Sequence, residues 1–360
     1  MKILRSSRKG GAALAAVLIM IILLAAGTAI MIVTGRGQIK EAADVPSVHQ
    51  DESSSQPDES SSLPDDTSSQ PDESSEPEKP VMAAPTIAAD YKDIDFIEDK
   101  LSSKYAVLMD VDKNEIIAGT NIDKKIYPAS LTKILSLIVA VENVEDTTVE
   151  FKFTADLLNP LVEERASVAG FLVDESVPFK DLLYGAILVS GADATSALAK
   201  IVAGSEKKFA DMLNKKAEEL GLTGTHFVNA SGLHDDDHYS TCKDMAIALA
   251  YALKNDTCRK VLTADKYTTA KTEAHPDGIL LYSIVHSRFL GYYIDCDGDG
   301  AADPNTKLDG GKTGFTDEAG YALATVLTRN NKTYICVNAH STSDLSCTLD
   351  NIAIYEKYLK

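Results

Sequence analysis

Basic side chains are scarce in this 360-residue chain: 35 Lys and Arg stand against 54 Asp and Glu, for a formal net charge of −19. Gripping a phosphate backbone needs a basic footprint, so nucleic-acid binding is a poor reading. Cysteine is sparse as well. Cys242, Cys258, Cys296, Cys336 and Cys347 form an odd, scattered set with room for one bridge but no disulfide framework. No CxxC or Cys/His spacing suggests zinc. Large apolar side chains are almost missing from 41–90, where Ser, Pro, Asp and Glu dominate and SSQPDESS occurs twice, at 54–61 and 68–75. Such a stretch cannot offset the entropy of ordering, and its charge and proline keep it extended.

What is present near the N-terminus is an uncharged run over 10–35, preceded by Lys2, Arg5, Arg8 and Lys9 and ended by Arg36. Twenty-six residues at about 1.5 Å each would extend roughly 39 Å as a helix, enough to cross a hydrocarbon core. A cleaved signal peptide has a shorter apolar stretch of about 7–15 residues, so the length favours an uncleaved anchor; cleavage would leave a secreted protein. The basic flank sets the orientation. The expected organisation is a cytoplasmic basic tail over 1–9, a transmembrane signal anchor over 10–35, an acidic disordered linker over 36–91, and an extracytoplasmic catalytic domain over 92–360.

Within that domain, the segments 105–111 and 116–120 flank Asp112-Lys113-Asn114-Glu115, the pattern of a β-hairpin. A second hairpin is expected from 321–328 and 333–338, joined by Arg329-Asn330-Asn331-Lys332. Helical patterns cover 130–144, 179–189, 192–202, 207–220, 243–253 and 344–359. Strands near both ends with helices between them predict an α+β fold: an antiparallel sheet flanked by helices, with an inserted helical subdomain and a cleft between the two.

The pattern from Leu131 to Val141 is apolar on nearly every face, as in a buried helix, yet it contains Lys133. Burying an ammonium group demands a partner or a depressed pKa. Ser130 precedes it by three residues, on the same helical face and at the helix start, where free N–H groups favour developing negative charge. A neutral lysine beside a serine hydroxyl is a nucleophile with its own base, the Ser-Lys variant of acyl-transfer chemistry. The bland reading is a capping serine and a snorkelling lysine. Two later stretches weigh against it. Ser190-Gly191-Ala192 makes a turn between two helical patterns, and Lys312-Thr313-Gly314-Phe315 enters a strand pattern behind Gly310 and Gly311. A second ammonium at Lys312 would hold a substrate carboxylate and disfavour protonation of Lys133. S-x-x-K, S-x-(N) and K-T-G in that order form a far stronger signal than any one of them.

On these motifs the chain closely resembles the serine D-alanyl-D-alanine carboxypeptidases, the low-molecular-weight penicillin-binding proteins. The likeness runs over about 92–360 and includes AVLMDVDKNEIIAGTNIDKKIYPASLTK, DLLYGAILVSGADATSALAKIVAGS, GLHDDDHYSTCKDMA and LDGGKTGFTDEAGYALAT. It implies a β-lactamase/penicillin-binding-protein transpeptidase-like fold, peptidoglycan stem peptides as substrate and β-lactam antibiotics as mimics. By the same resemblance Ser130 is the nucleophile, Lys133 the base, and Ser190 the relay that passes a proton to the departing D-Ala. Lys312 and Thr313 hold the terminal carboxylate, and the N–H groups of Ser130 and Phe315, the latter following Gly314, form the oxyanion hole. No cofactor is implied.

Departures from the family pattern accompany the match. Ala192 stands where the family carries an Asn whose amide contacts substrate and base. Over 338–349 there is His340 but no Arg near the expected carboxylate site. The first leaves open a slow β-lactam-sensing or wall-binding protein, and identical chemistry leaves open a D,D-endopeptidase. A class A β-lactamase would carry an E-x-E-L-N-like loop between the second and third motifs, which is not found here. Two motifs invite metals. His234 and His238 have a helical zinc spacing but sit among turn residues. Asp295, Asp297 and Asp299, with Gly300 at position six and Asp303 at position nine, have the spacing of a calcium loop, although Thr306 takes the place of its closing Glu.

Overall fold

The computed structural model describes residues 83–359. The anchor expected over 10–35 and most of the expected linker lie outside them. Among the described residues no helix is long and apolar enough to cross a membrane.

A six-stranded sheet organises the domain. Its strands are β1 (Thr86–Asp93), β2 (Tyr105–Asp110), β3 (Glu115–Thr120), β8 (Thr306–Thr316), β9 (Gly320–Arg329) and β10 (Lys332–Ser341), in the order β1-β3-β2-β10-β9-β8. Both expected hairpins form, β2 with β3 and β9 with β10. Strand β2 joins β10 antiparallel, so the two ends of the chain close one sheet. Two features depart from expectation. Strand β1 begins at Thr86, inside the span read as linker, and pairs parallel with β3.

The sheet is apolar on both faces because its central strands are largely apolar at consecutive positions, with side chains alternating across the pleat. Val107 and Met109 enter one core together with Ala322, Ala324 and Val337. Ala106 and Leu108 enter the other with Leu323, Cys336 and Tyr355. The first core is filled by α1 (Lys133–Asn143), α3 (Phe179–Leu188), α4 (Ala192–Ala203), α5 (Glu206–Glu219) and α6 (Cys242–Ala252), which follow the expected helical segments closely. Around them lie α2 (Ala155–Glu163), α7 (Asp256–Leu262) and two small two-stranded sheets, β4 (Glu150–Lys152) with β5 (Ser176–Pro178) and β6 (Lys266–Thr268) with β7 (Leu280–Tyr282). The second face carries α8 (Ile284–Arg288) and α9 (Asp344–Tyr358), the latter opened by a Ser343/Ser346 capping box. All five cysteines are free and buried.

Candidate active site

Ser130 lies in a 3₁₀ turn, Ala129–Thr132, that leads directly into α1. This turn is squeezed between two chain segments that come close only because each carries glycine. A β-carbon at Gly314 of β8 would fall 2.9 Å from the Pro128 carbonyl oxygen, and one at Gly232 would fall 1.8 Å from that of Ala129. The squeeze leaves Ala129 in the left-handed region, at φ 47°, a conformation that persists only where surroundings over-determine it.

Lys133 is 2% exposed, and its Nζ lies 3.0 Å from Ser130 Oγ. Burial drives the amine down to about 7, against the opposing pull of Asp193 and Glu206. The free base is thus within reach near neutral pH, where an ordinary lysine is protonated. The bland reading of a snorkelling lysine fails, since the side chain points inward. Its second contact is a 2.6 Å hydrogen bond donated to the main-chain carbonyl of Ser231.

The second pair sits across the cleft. Ser190 lies in the step from α3 to α4, between Val189 and Gly191, with φ 61°. Its Oγ accepts a 2.8 Å hydrogen bond from Lys312 Nζ, which also donates to the Thr313 carbonyl at 2.9 Å. Lys312 is 1% exposed, and burial, then the charges of Lys133 and Arg288, hold its amine well below the ordinary lysine value. Ala192 opens α4 with a methyl group facing the same cleft. Asp193 next to it is buried and accepts from the N–H groups of Ala169, Gly170 and Ala194, which fixes the loop before β5 against the start of α4.

A cleft of about 470 Å³ joins these groups. Ser130, Lys133, Ser190, Ser231 and Phe315 line it, while Lys312 stands behind Ser190 as a buried floor. Strand β8 is the edge of the sheet, so one side of its backbone is unpaired where it passes the 3₁₀ turn. Phe315 is 47% exposed at the rim, with its ring 4.4 Å from that of Tyr321. The residues singled out by motif therefore converge.

Other expectations are redirected. His238 is buried and accepts the Val228 N–H at Nδ1, so its Nε2–H donates to Thr132 Oγ1 at 2.7 Å, inside the S-x-x-K turn. His234 instead lines the cleft mouth, edge-on to Tyr127. The segment holding both is a loop, not a helix. His340 turns away, its Nδ1 hydrogen-bonded to the Ala319 carbonyl. At the acidic loop, Asp295, Asp297 and Asp299 bring carboxylate oxygens within 4.8 Å of one another. Asp303 does not join them. Its carboxylate accepts from Arg329 Nε at 3.0 Å and from the Asn305 N–H at 2.9 Å, because a buried carboxylate takes the nearest fixed donors. The calcium reading thus loses its fourth carboxylate. The Ser231 carbonyl, by contrast, is absent from the motif reading; the one sequence signal for it is the turn-forming run Asn229-Ala230-Ser231-Gly232.

A mixed sheet flanked by helices, with paired serines and lysines meeting at its edge strand, defines the penicillin-binding-protein and β-lactamase-like class of fold. The chain belongs to the D-alanyl-D-alanine carboxypeptidase family, peptidase S11, whose model matches residues 93–341. It is similar to the D-alanyl-D-alanine carboxypeptidase DacF of Bacillus subtilis, with 30% identity over 240 residues covering 65% of this chain and 56% of DacF. DacC of Escherichia coli is 32% identical over 244 residues, covering 64% and 54%. The chain thus spans little more than half the length of these curated relatives. Among solved structures, the Streptomyces K15 DD-transpeptidase superposes with a TM-score of 0.62 at 27% identity, covering 71% of this chain and 97% of that one. Penicillin-binding protein 5 from Haemophilus influenzae gives 0.60 at 27% identity, covering 72% and 70%.

Proposed function

We propose that the domain is a serine D,D-carboxypeptidase that removes the terminal D-Ala from peptidoglycan stem peptides. The observation carrying this reading is the fully buried Lys133 amine, 3.0 Å from Ser130 Oγ and depressed to about 7. The free amine takes the Ser130 proton as Oγ attacks the penultimate D-Ala carbonyl. The resulting oxyanion would be held by the N–H groups of Ser130 and Phe315, each donor worth about 2.7–4 kcal/mol in comparable hydrolases. Lys312 and Thr313 hold the terminal carboxylate, whose negative charge favours the ammonium form of Lys312. The C–N bond then breaks as Ser190 gives its proton to the leaving amine and regains one from the Lys133 ammonium, so that Lys133 is again the free base when water hydrolyses the acyl-enzyme. Substrate lies along the open edge of β8, as an added strand. No cofactor enters these steps. β-Lactams acylate Ser130 as substrate mimics.

In the same reading, the apolar run over 10–35 anchors the chain in the cell membrane as a single pass, and the acidic linker holds the domain on the extracytoplasmic side. A second reading, a slow β-lactam-sensing or wall-binding protein, draws on Ala192, since the missing amide removes a substrate contact. Incubation with a pentapeptide ending in D-Ala-D-Ala separates the two. The expected result is steady release of D-Ala, together with a penicillin adduct located on Ser130 by mass spectrometry and lost in Ser130→Ala. An adduct without D-Ala release favours the sensor; no adduct on the intact serine defeats both.

A further inference from the structure

Where the second motif offers only the methyl group of Ala192, the base finds a different acceptor. Lys133 Nζ donates to the Ser231 carbonyl at 2.6 Å, its shortest contact. The peptide group that carries this carbonyl is tied down directly by the Asn229 side chain. Asn229 Oδ1 accepts from the Gly232 N–H at 2.7 Å, the Ser231 N–H at 3.2 Å and the Ser231 hydroxyl at 3.4 Å, while Asn229 Nδ2 donates to the Leu233 carbonyl at 2.9 Å. The preceding residue is pinned from both sides: Ser136 Oγ of α1 donates to the Ala230 carbonyl at 2.6 Å, and the Ala230 N–H donates to Glu206 at 3.2 Å.

We propose that Asn229 is a positioning residue for Lys133, holding the Ser231 carbonyl as the acceptor that position 192 does not supply. The inference rests on the Ser130–Lys133 chemistry proposed above. A neutral amine has two N–H bonds and one lone pair, and it rotates freely unless an N–H is tied. Tying one to a fixed carbonyl lets the lone pair face the Ser130 hydroxyl. When the proton moves from Ser130 Oγ to Lys133 Nζ, the same hydrogen bond becomes charge-assisted and stabilises the ammonium formed on the way to the acyl-enzyme. A carbonyl only accepts, so it cannot replace the amide's donor contact to substrate. The compensation covers the base alone.

The test is the rate of Ser130 acylation by fluorescent penicillin in the full chain, resolved into binding and acylation. Asn229→Ala is expected to lower the acylation rate constant about tenfold to a hundredfold, the range for losing a hydrogen bond to a charged group, with penicillin binding changed less than about twofold. An acceptor favours the ammonium form, so its loss also moves the acid limb of acylation to lower pH. Ala192→Asn placed on top of Asn229→Ala is expected to recover most of the lost rate and return the limb, which repair of a merely structural defect would not do. Wild-type acylation by Asn229→Ala overturns the proposal, as does a folded double variant no faster than the single one. Should Asn229→Ala not fold, Asn229→Asp carries the test, since it keeps the Oδ1 acceptor. It is expected within about threefold of wild type, and a folded Asp variant slowed a hundredfold overturns the proposal. A wild-type chain that takes up no penicillin defeats the Ser–Lys reading itself; labelled wild type with an unaffected Asn229→Ala defeats only the role of Asn229.

Discussion

Burying the Lys133 amine costs the fold stability, and the cost has a pH signature. Its ordinary value of 10.5 falls to about 7 in the folded chain. As pH drops below about 10.5 the unfolded lysine gains its proton and the buried one does not, so stability is lost down to about 7, where the loss is complete. A drop from 10.5 to about 7 corresponds to about 4–5 kcal/mol. Lys133→Met removes that cost but leaves the Ser231 carbonyl without its partner, at about 1–3 kcal/mol. The net expectation is a gain of roughly 1–4 kcal/mol in urea unfolding at pH 7, shrinking as pH approaches 10, with penicillin labelling abolished. In the wild type the same titration governs rate. Acylation should rise with pH through about 7, and a pH profile flat from 6 to 8 would show that a free amine at 133 is not the base.

Elements bring these residues together by close backbone approach, and glycine sets the limit. Gly232 has φ +84° and meets the Ala129 carbonyl; Gly204, at the end of α4, has φ +73° with nothing within 4 Å of a β-carbon. Gly204→Ala should therefore cost only the left-handed strain, about 1 kcal/mol, and leave acylation unchanged. Gly232→Ala adds a steric overlap that must push the 229–233 loop or the Ser130 turn aside. Its expected cost is about 2–4 kcal/mol, with labelling reduced by more than tenfold; equal behaviour of the two variants in thermal unfolding and labelling would show the contact at Ala129 to be slack. This arrangement also explains what could be read beforehand. The hairpins were legible because short polar turns containing Asn interrupt apolar strand runs, and α1 because its apolar pattern continues past Lys133. Strand β1 was not, since half of TIAADYKD is polar and only Ala88 in it is buried, so no alternating apolar face shows. The three-residue strands of the small sheets carry too few residues to show a period. At the site, the roles written in side chains, Ser130, Lys133, Ser190 and Lys312, stood out. The acceptor at Ser231 is a main-chain carbonyl, which every residue possesses, so only the fold reveals it.

For the whole domain, acid sensitivity should pass through His238, the buried link between the S-x-x-K turn and the loop that covers it. Its imidazole is 2% exposed, and burial lowers it to about 4 from 6.5. The folded form thus holds it neutral, with Nε2–H bound to Thr132. As pH falls below about 6.5 the unfolded imidazole takes a proton that the folded one refuses, and stability declines until about 4. Two to three units amount to about 3 kcal/mol, a large share of a domain's usual margin. Thr132 lies between Ser130 and Lys133, so loss of this link should loosen the nucleophile before the sheet itself gives way. His238→Gln keeps a donor toward Thr132 but cannot titrate. It is expected to be less stable than wild type at pH 7 yet to lose less between pH 6.5 and 4, so that the two urea-unfolding curves converge at the acid end. Parallel curves would move the acid sensitivity to carboxylates. Glu175 is the first candidate, because burial opposes its charge while hydrogen bonds from Thr272, His275 and Leu172 hold its carboxyl below the ordinary value.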